Sequence, residues 1–206
     1  EFRRVLFRSD LKDVALHLGV SEGCAAFVAE LCYLSGLLAI DADDTIAPTN
    51  SFDLWLTQDF ESRWRNIVSL WQITSRVSGL VGRSDQKFSA LGPELDRVSA
   101  ANIRNRILEE LRGNILLSPT LASFTERMKW LAPLRRGANL RDDLVKWTLE
   151  ECEWLGITGL GALSTFAAEL LEGDSELGVN AALPTPIDYI TIQRSEEHTS
   201  ELQSRE

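Results

Sequence analysis

Six basic residues crowd one stretch of an otherwise acidic chain. Arg127, Lys129, Arg135, Arg136, Arg141 and Lys146 fall between positions 127 and 146, against only Asp142 and Asp143. The whole 206-residue chain has a formal net charge of −10. An acidic chain is a poor general ligand for nucleic acid, because binding there is driven by cations that release counterions from phosphates. Any such role must rest on a local patch, and this is the one stretch that supplies it. Trp130 sits among the cations and could pack on a sugar or stack. A solvated basic surface, or one that docks an acidic domain, uses the same residues.

Other residues that could do chemistry form no catalytic set. His17 has no nucleophile marked near it in sequence and reads as a helix-surface histidine. Gly159, Leu160 and Gly161 lack the lysine and preceding strand of a phosphate loop, so they read as a tight turn. Glu150, Glu151 and Glu153 crowd one helix with Asp142 and Asp143. Helical spacing spreads them over several faces, which predicts a solvated acidic surface rather than a metal site. Cys24, Cys32 and Cys152 are three in number and contain no CxxC spacing. They give neither a disulfide framework nor a metal cluster, suit a reducing compartment, and read as small apolar residues on helices. No cofactor or metal is implied, and the segment is not expected to be an enzyme.

The elements that must position the basic cluster follow from periodicity. Asp10 is placed to cap a helix over 11–18, and Gly19 breaks it. Ser21 and Glu22 restart a helix with Ala25, Val28, Leu31 and Leu34 at an i, i+3 spacing, ended by Gly36. Residues 37–40 and 45–49, around an Asp41-Ala-Asp-Asp44 turn, read as a hairpin. Helix, turn, helix and hairpin is the winged form of the helix-turn-helix. Phe52, Trp55, Leu56, Phe60, Trp64, Ile67, Val68 and Trp71 then form a helical stripe of core type. Residues 79–92 read as a loop between halves.

The second half repeats this logic. It has a helix over 101–111, another opened by Ser118 and Pro119, a turn at Pro133 and Gly137, and a strong helix over 140–155. A minimal wing follows over 156–163, then helix over 164–171. Locally the halves rhyme: Cys32-Tyr-Leu-Ser-Gly36-Leu37 and Cys152-Glu-Trp-Leu-Gly156-Ile157 both run cysteine, aromatic, leucine, glycine, aliphatic. The basic cluster lies on the turn and the early recognition helix of the second unit. That is the segment which faces DNA in helix-turn-helix proteins. The matching helix of the first unit, over 21–35, has Glu22 and Glu30 and no Lys or Arg. It suits protein docking better than a major groove.

The two ends read as one piece of DNA. RSEEHTSEL (194–202) back-translates as AGA TCG GAA GAG CAC ACG TCT GAA CTC. The reverse complement translates as EFRRVLFRS, which is residues 1–9. Residues 1–9 and 194–206 are therefore expected to be translated sequencing adapter, excluded from functional reading. Five basic and five acidic residues lie there, so the charge of residues 10–193 stays at −10. Hydrophobic residues make up 44% of the chain, enough for a packed core, and no apolar run is of membrane-spanning length.

The stretch LRDDLVKWTLEECEWLGITGLGALSTFAAELL (140–171) resembles helicase-associated proteins of actinobacteria that carry an XPB-type helicase N-terminal domain. LVGRSDQKFSALGPELDR (80–97) and LPTPIDYITIQ (183–193) resemble them too, the last as the opening of the shared domain. The resemblance implies an intracellular, cytoplasmic DNA-transaction protein with winged-helix modules ahead of that domain, and no catalytic residues here. Neither a Walker motif nor a DEAD-like box is visible. The expected organisation is a mainly α fold with short β-hairpins. A first winged-helix module with helical extension covers 10–78, a linker 79–100 and a second module 101–173. A linker with the first strand of a truncated domain covers 174–193. Two functions fit: a non-catalytic segment that holds the DNA backbone through the basic patch, or a scaffold for helicase, repair or transcription proteins without DNA contact.

Overall fold

The computed structural model describes residues 8–40, 45–83, 88–115, 117–131, 133 and 138–172. Arg135 and Arg136, the Asp41–Asp44 turn and everything beyond residue 172 lie outside the described residues. Among the described residues there are eight α-helices and two small antiparallel strand pairs, so the fold is mainly helical. Helices α1 (Arg8–Leu18) and α2 (Glu22–Leu34) lead into β1 (Leu38–Ile40) and β2 (Ile46–Pro48). Next come α3 (Asn50–Leu56) and α4 (Phe60–Ile73). The second half runs α5 (Ala100–Arg112), α6 (Leu121–Leu131), α7 (Ala138–Trp154), β3 (Thr158–Gly159), β4 (Ala162–Leu163) and α8 (Thr165–Glu172). No single helix among the described residues is long and apolar enough to cross a membrane.

Local chemistry places the boundaries. The Ser21 hydroxyl accepts the Cys24 N–H at the start of α2, and the Asp59 carboxylate accepts the Ser62 N–H at the start of α4. That Ser62 bond holds the Asp59 carboxyl below its usual range. Asp59 also splits the aromatic stripe. Thr57 ends α3, so the helical stripe of core type expected from Phe52 to Trp71 is carried by two helices. Only Val68 and Trp71 of that stripe are buried, and α3 buries nothing. Pro119 lies ahead of α6 rather than in its first turn, and the Thr120 hydroxyl accepts the Ser123 N–H there.

The sequence rhyme between halves is a pair of equivalent helix ends. Gly36 (φ 69°) and Gly156 (φ 70°) both occupy the left-handed region that L side chains avoid. The Leu37 N–H donates to Cys32 O and the Gly36 N–H to Tyr33 O; the Ile157 N–H donates to Cys152 O and the Gly156 N–H to Glu153 O. Both are Schellman caps. Leu37 and Ile157, the apolar residues that follow, are buried. After each hairpin a hydroxyl closes the unit: Thr49 donates to Gly36 O, and Ser164 donates to Gly156 O at 2.9 Å.

One hydrophobic core joins the two halves. Phe27 and Leu31 of α2, Val68 and Trp71 of α4, Ile107, Leu108 and Leu111 of α5, and Val145 and Cys152 of α7 belong to a single cluster. The stretch read as a linker enters it with Leu80 and Leu95, while Ala90 and Leu91 are also buried. Gly79 lies flat under Trp147: a Cβ on it would sit 2.2 Å from ring atoms. That glycine marks close packing between α7 and the connecting segment, not a flexible turn.

Two buried ion pairs brace this core. Glu30 of α2 accepts from Arg76 at 2.5 and 3.1 Å, and from the Leu91 N–H at 2.5 Å. Leu91 itself is left-handed (φ 61°) and fully buried. Burial pulls the Arg76 pKa down, but the Glu30 hydrogen bond and charge outweigh it and raise the pKa overall. Glu151 of α7, 2% exposed, accepts from Trp71 Nε1 at 2.7 Å and Ser78 Oγ at 2.9 Å. Arg104 Nε lies 3.4 Å from it, at ion-pair distance, while the Arg104 fork donates to Thr74 O and Arg76 O. The expected solvated carboxylate face of α7 therefore fails at Glu151. A buried charge persists only when paired and hydrogen-bonded, and Glu151 has both.

Candidate nucleic-acid interface

The described members of the basic cluster, Arg127, Lys129, Arg141 and Lys146, lie on α6 and α7. Arg127 is half-exposed and donates to Glu110 of α5 at 2.9 Å. Lys129 lies 2.6 Å from Glu126 and 3.7 Å from Asp142, and the Glu126 hydrogen bond raises its pKa. Arg141 is 5% exposed, with Nε and Nη2 on Asp142 at 3.0 and 2.9 Å. Its guanidinium belongs to the interior face of α7 and is not presented to a phosphate. Lys146 is exposed, with Glu150 at 3.9 Å. Each of the four described cations has a carboxylate within ion-pair distance. Glu110, Glu126 and Glu150 add three negative charges to a patch that the sequence window counted as holding two. Exposed pairs of this kind are worth about 0–1 kcal/mol, so phosphate can displace them, but the local field is much reduced.

Trp130 is the most exposed aromatic in the described residues, at 79%. It shares a face of α6 with Arg127, three residues before it, and Arg106 of α5 donates to the next residue's carbonyl, Leu131 O, at 3.3 Å. Arg106 is a cation that sequence reasoning missed, because only the packing of α5 and α6 against α7 brings it there. The Glu126–Lys129 and Lys146–Glu150 pairs, by contrast, were legible as i, i+3 and i, i+4 spacings. Glu110 was not.

The helices expected to read DNA or dock a partner are both core helices. In α7, Leu144, Val145, Thr148, Glu151 and Cys152 are buried, and Asn139, Lys146, Glu153 and, at its end, Trp154 lie exposed. Such a narrow stripe, with one cation and flanking acids, cannot enter a major groove. In α2, Ala25, Ala26, Phe27, Ala29, Glu30 and Leu31 are buried. Val28 is its one clearly exposed large apolar side chain, so the docking face expected over 21–35 is spent on internal packing. The reason is compositional: a helix apolar around most of its circumference is buried on most sides.

The remaining reactive groups are quiet. Cys24 and Cys32 are half-buried on α2, Cys152 is buried on α7, and burial raises all three thiol pKa values. Thiolates, the reactive form, are correspondingly scarce. His17 is exposed in the last turn of α1. No group of three or more His, Cys, Asp or Glu side chains able to hold a metal occurs among the described residues. Comparison with protein-family models, curated proteins and solved structures finds no match.

Proposed function

We propose that the chain is a non-catalytic, helicase-associated scaffold segment in which two winged-helix-like units divide the work. The first unit docks protein, and the second rests on the DNA backbone. An asymmetry between the units carries this reading. Residues 10–78 hold ten acidic side chains against four basic, while residues 101–173 hold ten against nine. The exposed Arg127 and Lys146, the partly exposed Lys129 and the exposed Trp130 all lie in the second unit. The first instead exposes Leu54, Leu56 and Phe60 around α3. Because α7 is buried, DNA contact is lateral, to phosphates, and indifferent to sequence. The sequence resemblance to XPB-type helicase-associated proteins supports the same setting. A second reading, a protein scaffold without DNA contact, draws on the carboxylate beside every described cation of the patch.

Fluorescence anisotropy of the chain with duplex DNA across a salt series separates the two. Three to five neutralised phosphates give a log–log slope of about −3 to −5. Arg127→Glu/Lys129→Glu and Arg135→Glu/Arg136→Glu should each abolish most of the binding. A flat signal at low salt, or binding indifferent to salt, removes the DNA role and leaves the scaffold.

A further inference from the structure

Trp130 leaves 79% of its surface in water near the end of α6. The other exposed large apolar side chain on α6 is Leu121, nine residues back and about 14 Å away along the axis. A protein groove that grips a helix needs apolar anchors at i, i+3, i+4 or i+7. The residues three, four and seven before Trp130 are Arg127, Glu126 and Ser123. The ring therefore stands alone among polar and charged neighbours, which is poor chemistry for an apolar protein surface. It suits a flat, polar-edged partner that arrives with phosphates.

The same stripe of α6 leads to a cleft. Ser123, Arg127 and Trp130 recur at four and three residues and so share one face. The first two line a half-open cavity of about 270 Å³ between α6 and the end of α5. Its floor includes Leu111 and Phe124, both buried, and Glu110 and Asn114 join Ser123 and Arg127 around it. A carboxylate, an amide, a hydroxyl and a guanidinium over an apolar floor match a flat ring with a hydrogen-bonding edge. A nucleobase is such a ring. In a duplex its faces are stacked and its pairing edge is taken, so only an unpaired base offers both. Arg127 is common to cleft and ring, and Arg106 of α5 lies beside Leu131, so cations for the backbone are at hand. Arg127 and Lys129 are each already paired with a carboxylate, and exposed pairs of that kind are worth about fivefold in an equilibrium at most. A base stacked on an aromatic ring is worth about 5- to 150-fold. Stacking therefore outweighs charge at this patch.

Resting on the DNA-backbone reading above, we infer that α6 selects single-stranded DNA: one unpaired base stacks on Trp130, and a neighbouring base lies in the Glu110–Arg127 cleft. Base identity matters little, because every base has a π face. Fluorescence anisotropy of the whole chain at one salt concentration tests this with three ligands of equal length: a thymidine oligonucleotide, a duplex and an abasic strand. The oligonucleotide should bind at least about fivefold tighter than either of the others. Trp130→Ala and Trp130→Leu should erase that preference and leave duplex binding unchanged, while Trp130→Phe keeps most of it. The position is exposed, so none of the three should unfold the chain. Ser123→Phe, which fills the cleft from an exposed position, should also weaken the single strand and spare the duplex. Salt-dependent duplex binding with no preference for the oligonucleotide overturns the inference and leaves the backbone reading standing. Trp130→Ala weakening both ligands alike overturns it, as does Ser123→Phe binding the single strand like the wild type. Failure to bind any of the three ligands removes both readings.

Discussion

The two helix–hairpin–helix units share a local code and put it to different ends. Each closes its central helix with a Schellman glycine, buries the next aliphatic residue, and ties the hairpin exit back with a hydroxyl. Their last helices then diverge. In α8, Ala167 and Ala168 are buried, and Phe166 meets Trp64 edge-on at 5.2 Å. In α3 nothing is buried; Phe52 and Trp55 stack on each other, and the Arg63 guanidinium of α4 lies 5.0 Å over the Trp55 ring. Their central helices are braced by different ion pairs, Glu30 with Arg76 and Glu151 with Arg104, at positions that do not align when the two glycines are superposed. Local capping thus repeats with the sequence, whereas tertiary partners do not.

The largest effect should come from the two buried carboxylates. Glu151→Ala leaves Arg104 without its carboxylate and removes the acceptor for Trp71 and Ser78, and Glu30→Ala leaves the Leu91 N–H without an acceptor and Arg76 with only Asp96 at 3.8 Å and the Gly92 carbonyl. Removing one member of a buried pair costs about 3–5 kcal/mol. Urea unfolding should show both losses in one cooperative transition, because one core joins the halves. Two separate transitions would split the molecule into independent units.

A smaller effect tests the shared code. Gly36→Ala and Gly156→Ala have room for the methyl group, with nothing within 4 Å of the first and only Phe166 Cζ at 3.6 Å from the second. Each should therefore lose only the left-handed penalty, about 1–2 kcal/mol. Thermal unfolding that gave clearly unequal losses would end the equivalence of the two caps.

The smallest effect sharpens the contrast between last helices. Leu54, 68% exposed on α3, should tolerate Leu54→Ser within about 0.5 kcal/mol. Under the proposed division of labour, this variant should weaken protein docking and leave DNA binding unchanged. A marked loss of stability would show that α3 packs in solution.

Sequence reasoning located the helices and hairpins because their signals are local. Ser21, Gly36 and Gly156 act within one turn of themselves, and the apolar spacing of α5 and α7 is visible within a dozen residues. It did not reveal that α2 and α7 are interior helices. Exposure depends on which other helices arrive, and α2 meets not only its neighbour α1 but also α4 and α7, which come from further along the chain. Charge was read with the same limit. Asp142 was in view beside Arg141, but the burial of that pair, Glu110 beside Arg127 and Glu151 beneath Trp71 all needed the assembled core. Composition and short-range pattern determined which segments are helical and where they stop. Tertiary packing alone decided which charges face water, because burial and ion pairing are properties of neighbours far apart in sequence.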